Sequence, residues 1–145
     1  MQQRQIPHDH GQLILLNGVA PAVNTNPVIA VPSNYRWRII AVTATLTSDA
    51  NAANRTAYLR LIVGVSARAF WFHTRTQPAN RSDGWIWATQ GSPNSSGLNI
   101  FHAASIPEHL LMSDVCSLDI ATDNFQAGDQ WGAISVFVER WRSTI

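Results

Sequence analysis

Histidine is the first residue type in this chain that could do chemistry, because neutral imidazole is the commonest metal ligand in proteins. The chain has five histidines. His8 and His10 are two residues apart, a spacing that places both side chains on one face of a strand. They precede the first predicted strand, however, and no glutamate and later histidine follow them in a rigid pattern. We therefore predict no bound metal and no cofactor.

Hydrolysis is the second chemistry to consider, and it needs a nucleophile beside a base or two carboxylates that line a cleft. The chain contains no G-x-S-x-G, H-E-x-x-H or Walker pattern. Most of its aspartates stand in predicted turns, where this side chain usually accepts hydrogen bonds from its own backbone. These aspartates are Asp49, Asp83, Asp114, Asp123 and Asp129. We therefore predict that the protein is not an enzyme.

Tryptophan and arginine carry the strongest functional signal. Trp71 stands between Phe70 and Phe72, so this predicted strand has rings on both faces, while Trp85 and Trp87 share one face of another strand. A sandwich strand buries only one face in its own core, so rings on both faces indicate cover by another molecule. Exposed tryptophan and arginine are side chains that anchor protein interfaces. The predicted interface residues are Trp71, Arg75, Arg81, Trp85, Trp87 and Trp141.

Two other interpretations of the same rings stay open. Each tryptophan could simply fill the core of the domain, as most large aromatic side chains do. Exposed tryptophans also serve as platforms for sugars in β-sandwich proteins, so glycan binding is an alternative function.

The charge pattern argues against nucleic acid as a partner. The formal net charge is +1, and the basic residues are scattered along the chain without forming a basic stripe. Charged residues make up 13% of the chain, against about 25% in an average globular protein. All ten basic residues are arginine, which is favoured over lysine at protein interfaces, although GC-rich coding would have the same effect. The low charge content favours a surface that other molecules partly cover.

Cys116 is the one cysteine of the chain, which excludes an internal disulfide and a multi-thiolate zinc site. It alternates with Leu118 and Ile120, so we expect a buried, inert thiol. No apolar run reaches the roughly 18 residues of a membrane-spanning helix, and the polar start of the chain does not resemble a signal peptide. We expect a protein that is made and folds in a cytoplasm and does not enter a membrane.

The domain organisation predicted from the sequence is simple. Residues 1–11 are polar and without periodicity, which is typical of an extended N-terminal arm that orders only against a neighbour. The rest of the chain, residues 12–145, has the length of one domain and contains no linker.

The strongest strand signal lies at residues 35–47, which are rich in β-branched and aromatic side chains. In a regular strand Trp37 and Val42 would lie on opposite faces, although both are apolar and suit the core. We therefore predict a bulge at residues 38–40, which shifts the alternation by one residue and lets both face inward. A turn-rich segment then leads to a second strand at residues 55–66. We predict that these two strands pair as a long antiparallel hairpin.

The remaining strand signals recur about every 10 to 15 residues, with turn residues between them and no amphipathic helix. Strands are predicted at residues 12–19, 28–31 (an edge strand), 68–76, 84–89 and 98–103, and two more between residues 115 and 141. The pattern predicts an all-β protein, a single-domain, jelly-roll-like antiparallel β-sandwich with an N-terminal arm.

Four segments of the chain are notable together: YRWRII (residues 35–40), NRTAYLRL (residues 54–61), FQAGDQW (residues 125–131) and VFVERW (residues 136–141). With these segments the chain resembles small virion proteins of tailed bacteriophages, and the resemblance extends over roughly residues 35–142. Such proteins are single-domain jelly rolls or β-sandwiches that cement or decorate the capsid, or that sit at the head–tail junction. The resemblance implies a homotrimer that clamps neighbouring capsid subunits and uses no cofactor.

Taken together, these observations predict a structural virion protein, a capsid cement or decoration protein that binds between capsid subunits and stabilises the shell. The expected partners are other copies of the chain and the major capsid protein or other virion proteins. Two alternatives remain: a tail or head–tail adaptor component of the virion, and a glycan-binding β-sandwich module.

Overall fold

Eleven β-strands make up the fold, which we describe from a computed structural model over residues 11–89 and 101–143. The strands are β1 (Gln12–Asn17), β2 (Val28–Ala30), β3 (Tyr35–Thr47), β4 (Thr56–Val63), β5 (Ser66–Phe72), β6 (Ser82–Ala88), β7 (Phe101–Ser105), β8 (Leu111–Met112), β9 (Cys116–Asp123), β10 (Gln130–Trp131) and β11 (Ser135–Arg142). No helix in these two segments has the length and apolar character needed to cross a membrane. Apart from Gly11, the predicted N-terminal arm lies outside the described residues, and so does the predicted loop at residues 90–97.

The strands form two sheets. Sheet A has the order β1-β11-β3-β6-β7, and the short strands β8 and β10 also pair with β3. Sheet B has the order β2-β9-β4-β5, so β2 is an edge strand as predicted. All described pairs are antiparallel except β6 with β7, which run parallel.

The order of the strands is that of a jelly roll. When β7, β8 and β10 are left aside, sheet A contains the first, eighth, third and sixth strands in that order, and sheet B contains the second, seventh, fourth and fifth. Two interlocked Greek keys give this order, in which the chain changes sheet after every one of these eight strands except between β4 and β5. The predicted all-β sandwich is therefore confirmed, with one parallel pair added at the edge of sheet A.

The bulge predicted in β3 is present. Ala41 pairs with Phe137 and Ile39 with Val138, so Ile40 is the extra residue on β3. Trp37 and Ile39 are buried before it, and Val42 and the alternate residues beyond it are buried after it. The bulge lets one long strand keep its apolar residues on the core side along its whole length.

The predicted hairpin between β3 and β4 is wrong. β3 pairs with β11 and β6 in sheet A, whereas β4 pairs with β9 and β5 in sheet B. Both strands carry an inward apolar row, and placing them in separate sheets brings these two rows face to face across the core. Residues 48–55 therefore carry the chain from one sheet to the other.

The centre of the core contains four tryptophans with no more than 1% of their surface exposed, namely Trp37, Trp85, Trp87 and Trp131. Each indole removes about 150–250 Å² from water, so these four side chains supply much of the hydrophobic driving force. Aliphatic residues from both sheets fill the space between them. Cys116 is a buried free thiol, as predicted.

Candidate interaction surfaces

The outward side of sheet A is uncharged over three consecutive cross-strand rows, which we call the outer face of sheet A. The rows are Leu15, Phe137, Ala41, Ala88 and Ser105; then Asn17, Ser135, Thr43, Ile86 and Ala103; then Thr45, Gly84 and Phe101. These residues alternate along their strands with buried ones such as Val42 and Trp85, which places them on the side away from the core.

A ridge of large apolar side chains stands at one side of the outer face. Leu15 and Phe137 are direct partners across β1 and β11, and Leu13 is the next outward residue on β1. Leu13 and Leu15 are each more than 60% exposed and Phe137 is 37% exposed. An ion pair borders the ridge, with Arg38 Nε donating to Glu139 Oε2 over 2.7 Å. Because the charges of this pair compensate each other, Arg38 and Glu139 place no net charge beside the ridge.

A groove of about 370 Å³ lies beside the ridge, where β3, β6, β7 and residues 132–135 before and at the start of β11 present mostly small residues. Its lining includes Thr43, Thr45, Gly84, Phe101 and Ala133. Gly84 is required at this place, since a Cβ there would lie 2.5 Å from the ring of Phe101. The Phe101 ring can therefore lie close against strand β6 at the edge of the groove.

Trp85 and Trp87 were predicted at an interface, and the structure contradicts this. They share one face of β6 as expected, but that face is the core side, and neither indole has measurable exposure. Trp85 Nε1 donates to Gln77 Oε1 over 2.9 Å, and Trp87 Nε1 donates to the Trp71 carbonyl over 3.0 Å. With their faces packed and their N–H groups bonded, these two residues hold the sandwich together and cannot anchor a partner.

Strand β5 does carry rings on both faces, but the outward rings belong to phenylalanines. Trp71 is half-buried and packs against the core, while Phe70 and Phe72 are 47% and 60% exposed on the outer side of sheet B. Tyr58 on β4 stacks on Phe72 with centroids 4.8 Å apart, and the two phenylalanine centroids are 6.2 Å apart. We call Tyr58, Phe70 and Phe72 the aromatic cluster of sheet B.

An ion pair lies next to the aromatic cluster. Arg60 is the cross-strand partner of Phe70, and its Nε donates to Asp119 Oδ1 over 2.7 Å while Nη2 donates to Oδ2 of the same carboxylate. These hydrogen bonds with Asp119 raise the pKa of Arg60 above its ordinary value. The bidentate contact fixes the plane of the guanidinium and leaves Nη1 without a hydrogen-bond partner within the described residues.

The other three predicted interface residues lie apart from one another. Arg75 is exposed in the segment that follows β5, and Arg81 is half-buried with an Nη2 contact of 3.2 Å to Asp83. Trp141 is half-buried near the end of β11, opposite Arg36 of β3. The predicted set is therefore not assembled into one surface.

A cavity of about 630 Å³ opens beside Trp141, where the end of β11 and the start of β3 meet β8 and the first residue of β9. A tight turn joins β8 to β9, with Cys116 N donating to the Ser113 carbonyl over 3.0 Å. The cavity is lined by Arg36, Leu111, Met112, Ser113, Cys116, Trp141, Arg142 and Ser143. The wall thus combines two guanidinium groups with an apolar floor.

A buried polar cluster lies between the sheets. Asp83 Oδ2 is 2.8 Å from His102 Nε2, and the His102 ring stacks on Trp85 with centroids 4.1 Å apart. The edge of His73 meets Trp85 and Trp87, at centroid distances of 4.9 and 4.7 Å. Burial, with a smaller effect from nearby His102, lowers the pKa of His73 from 6.5 to about 4. His73 is therefore neutral at physiological pH.

Several carboxylates tie the loops of the sandwich together. The side chain of Arg55 is fully buried, and its Nε and Nη2 each donate to Asp129 over 2.9 Å. Arg55 also donates to Asp49 and to the carbonyls of Asn51 and Ala53. Across the two described segments, no three His, Cys, Asp or Glu side chains come together as metal ligands would.

The exposed apolar residues of the ridge, Leu13, Leu15 and Phe137, were not predicted at an interface, although the sequence contains a pattern that indicates them. In LILL at residues 13–16 and VFV at residues 136–138, apolar side chains occupy both phases of the strand alternation. That pattern indicates a strand with two apolar faces, the same argument that was applied to Trp71. The groove had no such signal, because it depends on which strands lie side by side.

No protein-family model and no curated protein matches this sequence. Among solved structures, the chain is similar to one described as the structure of PfGH50B, with 10% sequence identity and a TM-score of 0.38. That alignment covers 92% of this chain and 23% of the other, so the chain spans less than a quarter of the length of the protein it matches.

Proposed function

We propose that this protein is a structural component of a virion, a capsid cement or decoration protein that binds where capsid subunits meet and stabilises the shell. The observation that supports the proposal best is the outer face of sheet A, which is uncharged across five strands and carries the Leu13–Leu15–Phe137 ridge. A contiguous apolar surface is unfavourable when it is exposed to water, and a protein partner would cover it.

The size of this face fits a contact that is repeated many times. The three rows contain thirteen residues, and at about 4.8 by 6.7 Å of sheet per residue they give a face of about 400 Å². A standard interface buries about 800 Å² on each partner, so a single contact here is weak. In the proposed homotrimer three such contacts are linked, and linked weak contacts give strong retention.

The proposal assigns no catalytic step to the chain. The buried acids already have structural partners, with Asp129 bound to Arg55, Asp119 to Arg60 and Asp83 to His102. Asp129 neutralises the buried Arg55 and accepts loop hydrogen bonds from Asp49 N and Gln126 N, so this carboxylate is not free to exchange protons with a substrate.

The test compares particles assembled with and without this chain. We expect particles that lack it to release their contents at a lower temperature and to be more sensitive to low salt and to a chelator. Equal stability of the two preparations would contradict a cement role. Antibody labelling in negative-stain images separates capsid from tail, and label confined to the tail would favour the adaptor alternative.

A second candidate function, glycan binding, is favoured by the aromatic cluster of sheet B. Aromatic faces pack against the C–H groups of sugar rings, and the free Arg60 Nη1 is a hydrogen-bond donor for a hydroxyl beside Phe70. Binding should change the fluorescence of Trp71, which lies on the same strand, and Phe72→Ser should abolish that change. No fluorescence response across a broad oligosaccharide panel would remove this candidate.

A further inference from the structure

We propose that the cavity beside Trp141 binds a small carboxylate that carries an apolar body. The site is separate from the outer face of sheet A, so the proposal does not depend on a virion role. Its volume of about 630 Å³ falls within the roughly 300–1,000 Å³ of small-molecule sites. Such sites have mostly apolar walls with a few polar groups that fix the ligand's orientation, and this cavity has that composition.

The charge of the cavity selects an anion. Four other arginines of the described residues form ion pairs, namely Arg38, Arg55, Arg60 and Arg81. Arg36 and Arg142 line the cavity and have no acidic partner within the described segments. Arg36 Nε donates to Ser143 Oγ over 3.0 Å, which orients its guanidinium while the two Nη groups remain available. Guanidinium groups pair with a carboxylate through two parallel hydrogen bonds.

The floor of the cavity selects an apolar body. Leu111 is 64% exposed, although it lies in a strand that pairs with β3. Met112 and Cys116 form the buried base, and the indole of Trp141 stands opposite Arg36. A ligand of about ten non-hydrogen atoms would cover this surface while its anionic end reaches the guanidinium groups. Acetate is too small to do both, and a neutral chain leaves the arginines unpaired.

The binding test uses three probes that share one apolar chain and differ in charge: octanoate, 1-octanol and octylammonium. Titration calorimetry on the full chain should show octanoate binding at least tenfold more tightly than 1-octanol, since a charge-assisted hydrogen bond is worth about 1.5–3 kcal/mol. Octylammonium should not bind. Arg36→Gln and Arg142→Gln should each weaken octanoate binding about tenfold, while Arg75→Gln, an exposed arginine outside the cavity, should not change it.

The single thiol of the chain locates the bound probe. Cys116 lines the cavity and keeps 9% of its surface exposed, so methyl methanethiosulfonate should modify it slowly; octanoate should slow this reaction further, and 1-octanol should slow it less. Equal binding of octanoate and octylammonium would overturn the proposal. So would octanoate affinity that both arginine variants retain, octanoate binding that leaves the Cys116 rate unchanged, or no binding of octanoate at all.

Discussion

Acid should destabilise this fold through one side chain, His73. Its ring lies between the sheets with edge contacts to Trp85 and Trp87, and its Nε2 has no hydrogen-bond partner within the described residues. The titratable groups nearby are His102 on β7 and Asp83 on β6, which are in contact with each other. Adding a proton to His73 places a charge against two indoles in a site that offers it no acceptor.

The size of the effect follows from the pKa of His73, which burial lowers from 6.5 to about 4. The unfolded chain takes up a proton as the pH falls through 6.5, whereas the folded chain does not until about pH 4. Stability is therefore complete above pH 6.5 and is lost as the pH falls toward 4. At 1.36 kcal/mol per pKa unit, the full loss is about 3 kcal/mol.

The assay is urea unfolding of the wild type and of His73→Phe at pH 7.5 and pH 4.5. Phenylalanine keeps a ring of similar size but does not titrate. We expect the free energy of unfolding of the wild type to fall by about 2–3 kcal/mol more than that of the variant. His109→Phe, at an exposed histidine, should behave like the wild type. If the wild type and His73→Phe lose the same free energy, the reasoning is wrong.

Two further stability predictions concern buried polar groups. Arg55→Met leaves the fully buried Asp129 without its cation, so it should lower the free energy of unfolding in urea by about 3–5 kcal/mol. The control Arg75→Met, at an exposed arginine, should change this free energy by less than about 0.5 kcal/mol. A small effect of the Arg55 variant would show that the loops do not depend on this contact. Gln77→Leu removes the acceptor of Trp85 Nε1 and should cost about 1–3 kcal/mol, with a lower thermal midpoint; an unchanged midpoint would mean that water replaces the amide.

The sandwich could be predicted because its strands have local signals. Residues 35–47 form one strand with the expected bounds, and the bulge followed from the change of phase between Trp37 and Val42. The pairing of β3 with β4 was predicted wrongly, because nearness in sequence favours a hairpin and only packing across the core favours separate sheets. Arg55, which ties the crossing segment to Asp129, gives no local signal of this role.

The candidate surfaces were less predictable than the fold. Alternation assigns residues to two faces, but it does not say which face is the core, so Trp85 and Trp87 were assigned outward and lie inward. The cavity beside Trp141 brings together residues from both halves of the chain, such as Arg36 and Arg142. Only the register of β3 with β11 places them near each other, and the sequence does not contain that register in any local pattern.

The central claim is that the outer face of sheet A contacts other virion proteins, and the most direct measurement is rebinding of purified chain to particles that lack it. Wild type should bind, and Phe137→Arg should bind at least tenfold more weakly, because it places a charge within an apolar contact. Val65→Arg, at a fully exposed residue between β4 and β5, should bind like the wild type. Equal binding of Phe137→Arg and the wild type, with both variants folded, would contradict the account.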